Sequence, residues 1–153
     1  MNIQDFVISS FALPVAFCLM AQPLSADPAT DSRMVPEIDV QQPARNSLED
    51  DFSKTTCGIA VIGKSGPTKK FTIRNVGSGP LTGLSITRDG VNAKEFKVTQ
   101  PAKTTLAPGT STTFTVTFKP TGKGTRSAEI HIKSNDADES PFDVVLTGKG
   151  LAR

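Results

Sequence analysis

Phe114-Thr115-Val116-Thr117-Phe118 alternates bulky apolar and polar residues with a strict period of two. Successive side chains of a β-strand point to opposite faces, so this stretch offers one apolar face and one wet face. Phe71-Thr72-Ile73-Arg74, Ala128-Glu129-Ile130-His131-Ile132-Lys133 and Phe142-Asp143-Val144 obey the same rule. Strands of this kind must bury their apolar faces against one another, and two stacked sheets do so economically.

Outward from these anchors, turn residues divide the chain into further short strands. Glu37 to Gln41 alternates as a first strand, and Pro43 to Ser53 is a polar loop. Ile59-Ala60-Val61-Ile62 is a short apolar strand that Gly63 and Gly66-Pro67 terminate. Lys70 to Val76 closes on Gly77-Ser78-Gly79-Pro80, and Leu81 to Thr87 closes on the turn signal Asp89-Gly90. Phe96 to Val98, Ser111 to Lys119, Arg126 to Lys133 and Phe142 to Leu146 complete the set. About eight strands with turns roughly every ten residues predict an antiparallel β-sandwich. The expected core is Ile38, Val40, Ile59, Val61, Phe71, Ile73, Leu84, Ile86, Phe96, Val98, Leu106, Phe114, Val116, Phe118, Ala128, Ile130, Ile132, Phe142, Val144 and Leu146.

The 153 residues leave room for one ordinary domain and a tail. With 17 basic against 15 acidic side chains, the chain lacks the concentrated positive charge of an obligatory nucleic-acid binder. Phe is the only aromatic type, which argues against sugar-binding platforms and base-stacking grooves built on Trp or Tyr.

Residues 1–26 differ from the rest. An apolar run through Phe17-Cys18-Leu19-Met20-Ala21 ends in Leu24-Ser25-Ala26, which reads as a secretory signal peptide cut near Ala26. Its start carries Asp5 and no basic residue, so an uncleaved anchor, the one membrane contact expected, or a misassigned start codon is the alternative. Phe17 before Cys18 argues against a lipoprotein site. Residues 27–35 read as a disordered lead-in. After cleavage Cys57 is the sole cysteine, so no intrachain disulfide forms and the fold rests on packing.

Four features could carry chemistry. Gly58 to Ser65 spells GxxxxGK[ST], but the four intervening residues form strands and Gly66-Pro67 prevents the helix a phosphate loop needs. Asn135, Asp136, Asp138 and Glu139 crowd one loop and are the candidate cation ligands; their spacing is not that of an EF-hand, and a solvated turn is the plainer expectation. His131, the only histidine, faces outward with Glu129 and Lys133 and has no nucleophile marked as its partner. Cys57 leads into an apolar strand and is expected to be buried rather than reactive. No catalytic constellation stands out, so the expectation is a non-enzyme without a cofactor.

Lys70 to Leu84, Leu106-Ala107-Pro108-Gly109 with Phe114 to Pro120, Gly124-Thr125-Arg126 with Ile130-His131-Ile132, Ser134-Asn135-Asp136 and Leu146 to Gly150 form a recognisable set. Together they resemble the choice-of-anchor D domain of bacterial surface and secreted proteins. That domain is similar to the hydin/ASH group of immunoglobulin-like modules and to the major sperm protein (MSP) fold. The resemblance covers about residues 36–151. It implies a seven- or eight-stranded immunoglobulin-like sandwich without a disulfide, and a non-catalytic module often repeated in long exported proteins. Some relatives carry Phe-Gly where Cys57-Gly58 stands, which makes Cys57 a core substitute. The chain holds one copy and no sorting motif, so either a small free protein or a piece of a longer one with neighbouring domains is expected. The family gives no settled ligand to carry over.

The functional expectation is therefore a structural or protein-interaction module that is secreted, periplasmic or on the cell surface. Its contacts with other proteins would come from an exposed sheet edge or from loops 77–80, 88–94, 120–124 and 134–141. The alternative is a ligand-binding module, for Ca²⁺ through the 134–140 loop or for surface glycan.

Overall fold

The computed structural model describes residues 34–153; the segment 1–26 and nearly all of the 27–35 lead-in lie outside them. Eight strands form: β1 (Ile38–Gln41), β2 (Lys54–Val61), β3 (Thr68–Asn75), β4 (Ser85–Asp89), β5 (Phe96–Val98), β6 (Ser111–Phe118), β7 (Gly124–Lys133) and β8 (Phe142–Leu151). They make two four-stranded sheets, ordered β1-β3-β6-β5 and β2-β8-β7-β4. A 3₁₀ turn, Ala93–Glu95, precedes β5. The two-sheet sandwich expected from the period-two stretches is the fold, with the eight strands that the resemblance implied.

The alternating stretches place their apolar residues between the sheets. Phe71 on β3 is the register partner of Phe114 on β6, and their rings stack with centroids 4.8 Å apart. Phe96 and Phe118 repeat the arrangement between β5 and β6 at 4.9 Å. Ile130, Ile132, Phe142, Val144 and Leu146 answer them from β7 and β8. Burying each such side chain contributes roughly 1.5–3 kcal/mol, which is how a domain without a disulfide holds together. Asn75, at the end of β3, is a polar side chain that is fully buried. Its Nδ2 donates to the carbonyls of Gly79 and Leu106, and its Oδ1 accepts from the Gly77 amide. That clasp accounts for the Asn75-Val76-Gly77-Ser78-Gly79-Pro80 run: the side chain replaces the pairing the backbone loses where the strand turns.

Three expectations need correction. Ile59 is 58% exposed and Val61 half-buried, while Cys57 and Ala60 fill the core. The cause is a bulge: Gly58 sits at φ 94°, and the β2–β8 register shifts between Thr56 and Ile59, which reverses the alternation beyond it. Val98 is half-buried at the rim, and Leu81 is in the core instead, bridged to Leu106. The predicted strand from Leu81 accordingly starts only at Ser85. Finally, β2 runs parallel to β8, whereas every other pairing is antiparallel.

The sheet edges are blunted by local devices. The Leu48 amide donates to the Val40 carbonyl and covers β1. The Gln100 side chain bonds both the amide and the carbonyl of Ile86, taking the place of a neighbour beside β4. β5 has three residues, and the bulge interrupts β2.

Candidate functional site

At the end of the sandwich where β7 begins, three connections converge: the β2–β3 loop, the β4–β5 connection and the β6–β7 loop. Between them lies a groove of about 630 Å³. Ile62 and Pro120 supply apolar surface, and Arg88, Lys94, Lys97 and Lys119 surround it. Among the described residues, no ion pair joins any of these four cations to an acidic side chain. Concentrating positive charge over an apolar strip favours anionic groups carried on a partly apolar chain.

The groove has a rigid base. Glu95, at the end of the 3₁₀ turn, is 4% exposed and meets Arg126 of β7. Arg126 Nε donates to Glu95 Oε2 at 2.9 Å, and the Thr121 hydroxyl donates to Oε1 at 2.6 Å. The Arg126 hydrogen bonds hold the Glu95 carboxyl below the usual carboxylate range; burial opposes this, and Thr121 reinforces it. Asn92 Oδ1 accepts from the Ser127 amide, and Arg88 Nε donates to the Ala93 carbonyl. The loop that presents Lys94 is thus pinned to β4 and β7. Thr121 is the one hydroxyl in the lining, and it is engaged by Glu95.

Of the loops singled out in the sequence, 88–94 and 120–124 come together here, at the start of β7. Loops 77–80 and 134–141 meet at its other end, where the Thr82 amide donates to Asn135 Oδ1 and Asn135 Nδ2 donates to the Pro80 carbonyl. Asn135 is thereby a structural clasp. Asp136 is buried and its Oδ2 accepts from the Ile38 amide at 2.8 Å. Glu139 does approach Asp136, but the third carboxylate of that group is Glu37 rather than Asp138. Burial first, then the neighbouring acids, raises the pKa of both Glu37 and Glu139.

In the GxxxxGK[ST] match, Gly58 to Val61 belongs to β2. The amides of Ile62, Gly63 and Lys64 donate to the carbonyls of Leu151, Pro120 and Val61, so none is free to cradle a phosphate. Cys57 is fully buried. His131 faces outward from β7 as expected, but it is not alone: Asp143 Oδ1 lies 2.7 Å from its Nδ1 and Asp89 Oδ1 lies 3.3 Å from its Nε2. Burial lowers its pKa, but those two carboxylates outweigh burial and raise it overall. Period two places Asp143 and His131 outside on their own strands; which strands are neighbours is what the sequence does not spell out. The groove cations leave still less trace, because they come from three separate segments: β4, the 3₁₀ turn with β5, and the residue just after β6.

The model of the HYDIN/CFA65/VesB-like, Ig-like domain matches residues 50–150, from just before β2 to the end of β8. The chain belongs to this family. Among solved structures, the HYDIN/CFA65/VesB-like domain is similar to a protein of unknown function from Porphyromonas gingivalis, at 20% identity and a TM-score of 0.54 over 76% of this chain and 67% of that one. It is similar to the seventh ASH/PapD-like domain of human CEP192, at 12% identity and a TM-score of 0.51 over 98% and 99%. The secreted serine protease VesC from Vibrio cholerae matches at 17% identity and a TM-score of 0.51, over 79% of this chain and 24% of the protease. At these identities the likeness is one of fold. No curated protein matches the HYDIN/CFA65/VesB-like chain by sequence.

Proposed function

We propose that this domain is a non-catalytic protein-interaction module that holds an acidic, partly apolar segment of a partner protein in the groove between β4, β5 and the β6–β7 loop. One observation carries the reading: four cations without acidic partners among the described residues stand around Ile62 and Pro120 on a base fixed by Glu95 and Arg126. The blunted sheet edges direct contact toward this end of the sandwich rather than toward strand addition. The finer assignment, an exported module of the choice-of-anchor D type at the bacterial surface or in the secreted fraction, rests on the resemblance and on the apolar run in residues 1–26.

A labelled peptide alternating Glu with Leu, titrated into the protein and followed by fluorescence anisotropy, tests the groove. Saturable binding that weakens with salt, and weakens at least tenfold in the triple variant Lys94→Glu/Lys97→Glu/Lys119→Glu, is the expected result. Binding unchanged by the triple variant overturns the assignment. So does a single-stranded oligonucleotide that binds more tightly than the peptide. Fractionation of producing cells, with mass spectrometry of the amino terminus, tests export; full-length protein confined to the cytosol refutes it.

A further inference from the structure

On the outer face of the β2-β8-β7-β4 sheet, well separated in chemistry from the basic groove, four side chains from three strands converge. Asp89 ends β4, Glu129 and His131 lie two apart on β7, and Asp143 follows the first residue of β8. The pairing sets Asp89 directly opposite Glu129 and His131 directly opposite Asp143. Asp89, Glu129 and His131 each present a donor atom, all within 4.8 Å of one another. We propose that these three residues bind a divalent transition-metal ion of the zinc class, with Asp143 as the positioning residue that orients His131.

Two independent features support this. Like charges directly across a strand pair repel, and Asp89 and Glu129 are such a pair. Among the described residues no lysine or arginine is ion-paired to either of them. A cation between them turns that repulsion into attraction. The second feature is the orientation of the imidazole. Its Nδ1 is engaged by Asp143 at 2.7 Å, which directs Nε2 toward Asp89. A histidine that ligates a metal commonly donates its other ring N–H to a carboxylate, which fixes the tautomer and raises the basicity of the ligating nitrogen. Here the orienting carboxylate is in place.

The donor set selects the class of ion. One imidazole and two carboxylates suit zinc and its neighbours, whereas calcium requires six to eight oxygens. Three protein ligands leave a fourth position of a zinc tetrahedron to water or to a group from another molecule. All the ligands stand on paired strands rather than on loops, so the geometry is set by the sheet. The oxygen-only cluster of Glu37, Asp136 and Glu139 is a poorer candidate, because Asp136 already accepts from the Ile38 amide.

Isothermal titration of ZnCl₂ into tag-free, chelator-treated protein at pH 7.5 tests the site, with Co²⁺ absorption as a spectroscopic check of the ligand field. A one-to-one isotherm, a rise in Tm with zinc and cobalt bands of a low-coordinate nitrogen–oxygen site are expected. His131→Gln should abolish the binding, Asp89→Asn with Glu129→Gln should abolish it as well, and Asp143→Asn should weaken it about 10–100-fold. Circular dichroism verifies that each variant folds. No saturable heat, or an isotherm that survives both the His131 variant and the double carboxylate variant, overturns the proposal; His131 is then an ion-pair bridge between Asp89 and Asp143 and no more.

Discussion

Arg126 reaches from β7 to grip Glu95 on the 3₁₀ turn, with two guanidinium nitrogens bonded to one almost wholly buried carboxylate. The pair joins a strand of one sheet to the connection that enters the other, so it fixes the groove floor and the spacing of the sheets at this end. Because Arg126 favours the ionised form, the folded state holds the Glu95 carboxyl below its unfolded pKa. Such a group stabilises the fold fully above the unfolded carboxylate pKa, and the contribution is lost as pH falls through the lowered folded value. Melting curves between neutral and strongly acidic pH should therefore show a decline to which Glu95 contributes. Glu95→Gln should start lower at neutral pH and decline less on acidification. Parallel curves for the two proteins would refute this.

Asn75 makes a second prediction. Asn75→Asp keeps the shape but removes the amide donors to Gly79 and Leu106 and buries a charge. Asn75→Ala strands those carbonyls and the Gly77 amide. Either change should cost at least about 2 kcal/mol in urea unfolding, given the penalty for unsatisfied buried groups. A loss under about 0.5 kcal/mol would show that the clasp is redundant.

Gly148 on β8 lies against the Phe118 ring, and a Cβ there would stand 2.6 Å from a ring carbon. The ring is held by its stack on Phe96, so it cannot simply swing aside. Gly148→Ala should destabilise by roughly 1–3 kcal/mol through overpacking, and Phe118→Leu should recover part of that loss. A double-mutant cycle measures the coupling; simple additivity would mean that the ring has room to move.

For Cys57, burial pushes the thiol pKa up to about 11, against a smaller opposing pull from Lys69. At pH 8 the thiol is protonated as well as inaccessible, and the thiolate is the reactive form. Disulfide reagents should leave Cys57 of the native protein unmodified over a time in which it reacts completely in the urea-unfolded chain, as read by peptide mass spectrometry. Rapid labelling of Cys57 in the folded protein would contradict the burial.

The extent to which the chain announces this structure differs by element. β3, β6, β7 and the start of β8 are spelled out by strict alternation, because one buried face fixes the side-chain period. Ile59 and Val61 misled for a local reason: the φ of 94° at Gly58 inserts an extra residue, and no pattern of apolar residues records a bulge. Leu81 reads as the start of a strand, whereas a lone bridge to Leu106 suffices to bury it. Neither site was legible, because each depends on which strands lie side by side. Glu95 and Arg126 are 31 residues apart, and Asp89 meets Glu129 only because β4 pairs with β7 in that register. Period two says which face a side chain takes; it does not say who stands across from it.

Gln100 has a bearing on life in a crowd. By occupying both hydrogen-bonding positions of Ile86, its amide leaves the β4 rim nothing to offer a second molecule at that point. Many copies could be threaded on one filament, or packed at high concentration, without zippering into a continuous ribbon. Gln100→Ala, which reopens that seam, is the change most apt to turn a well-behaved bead into a sticky one.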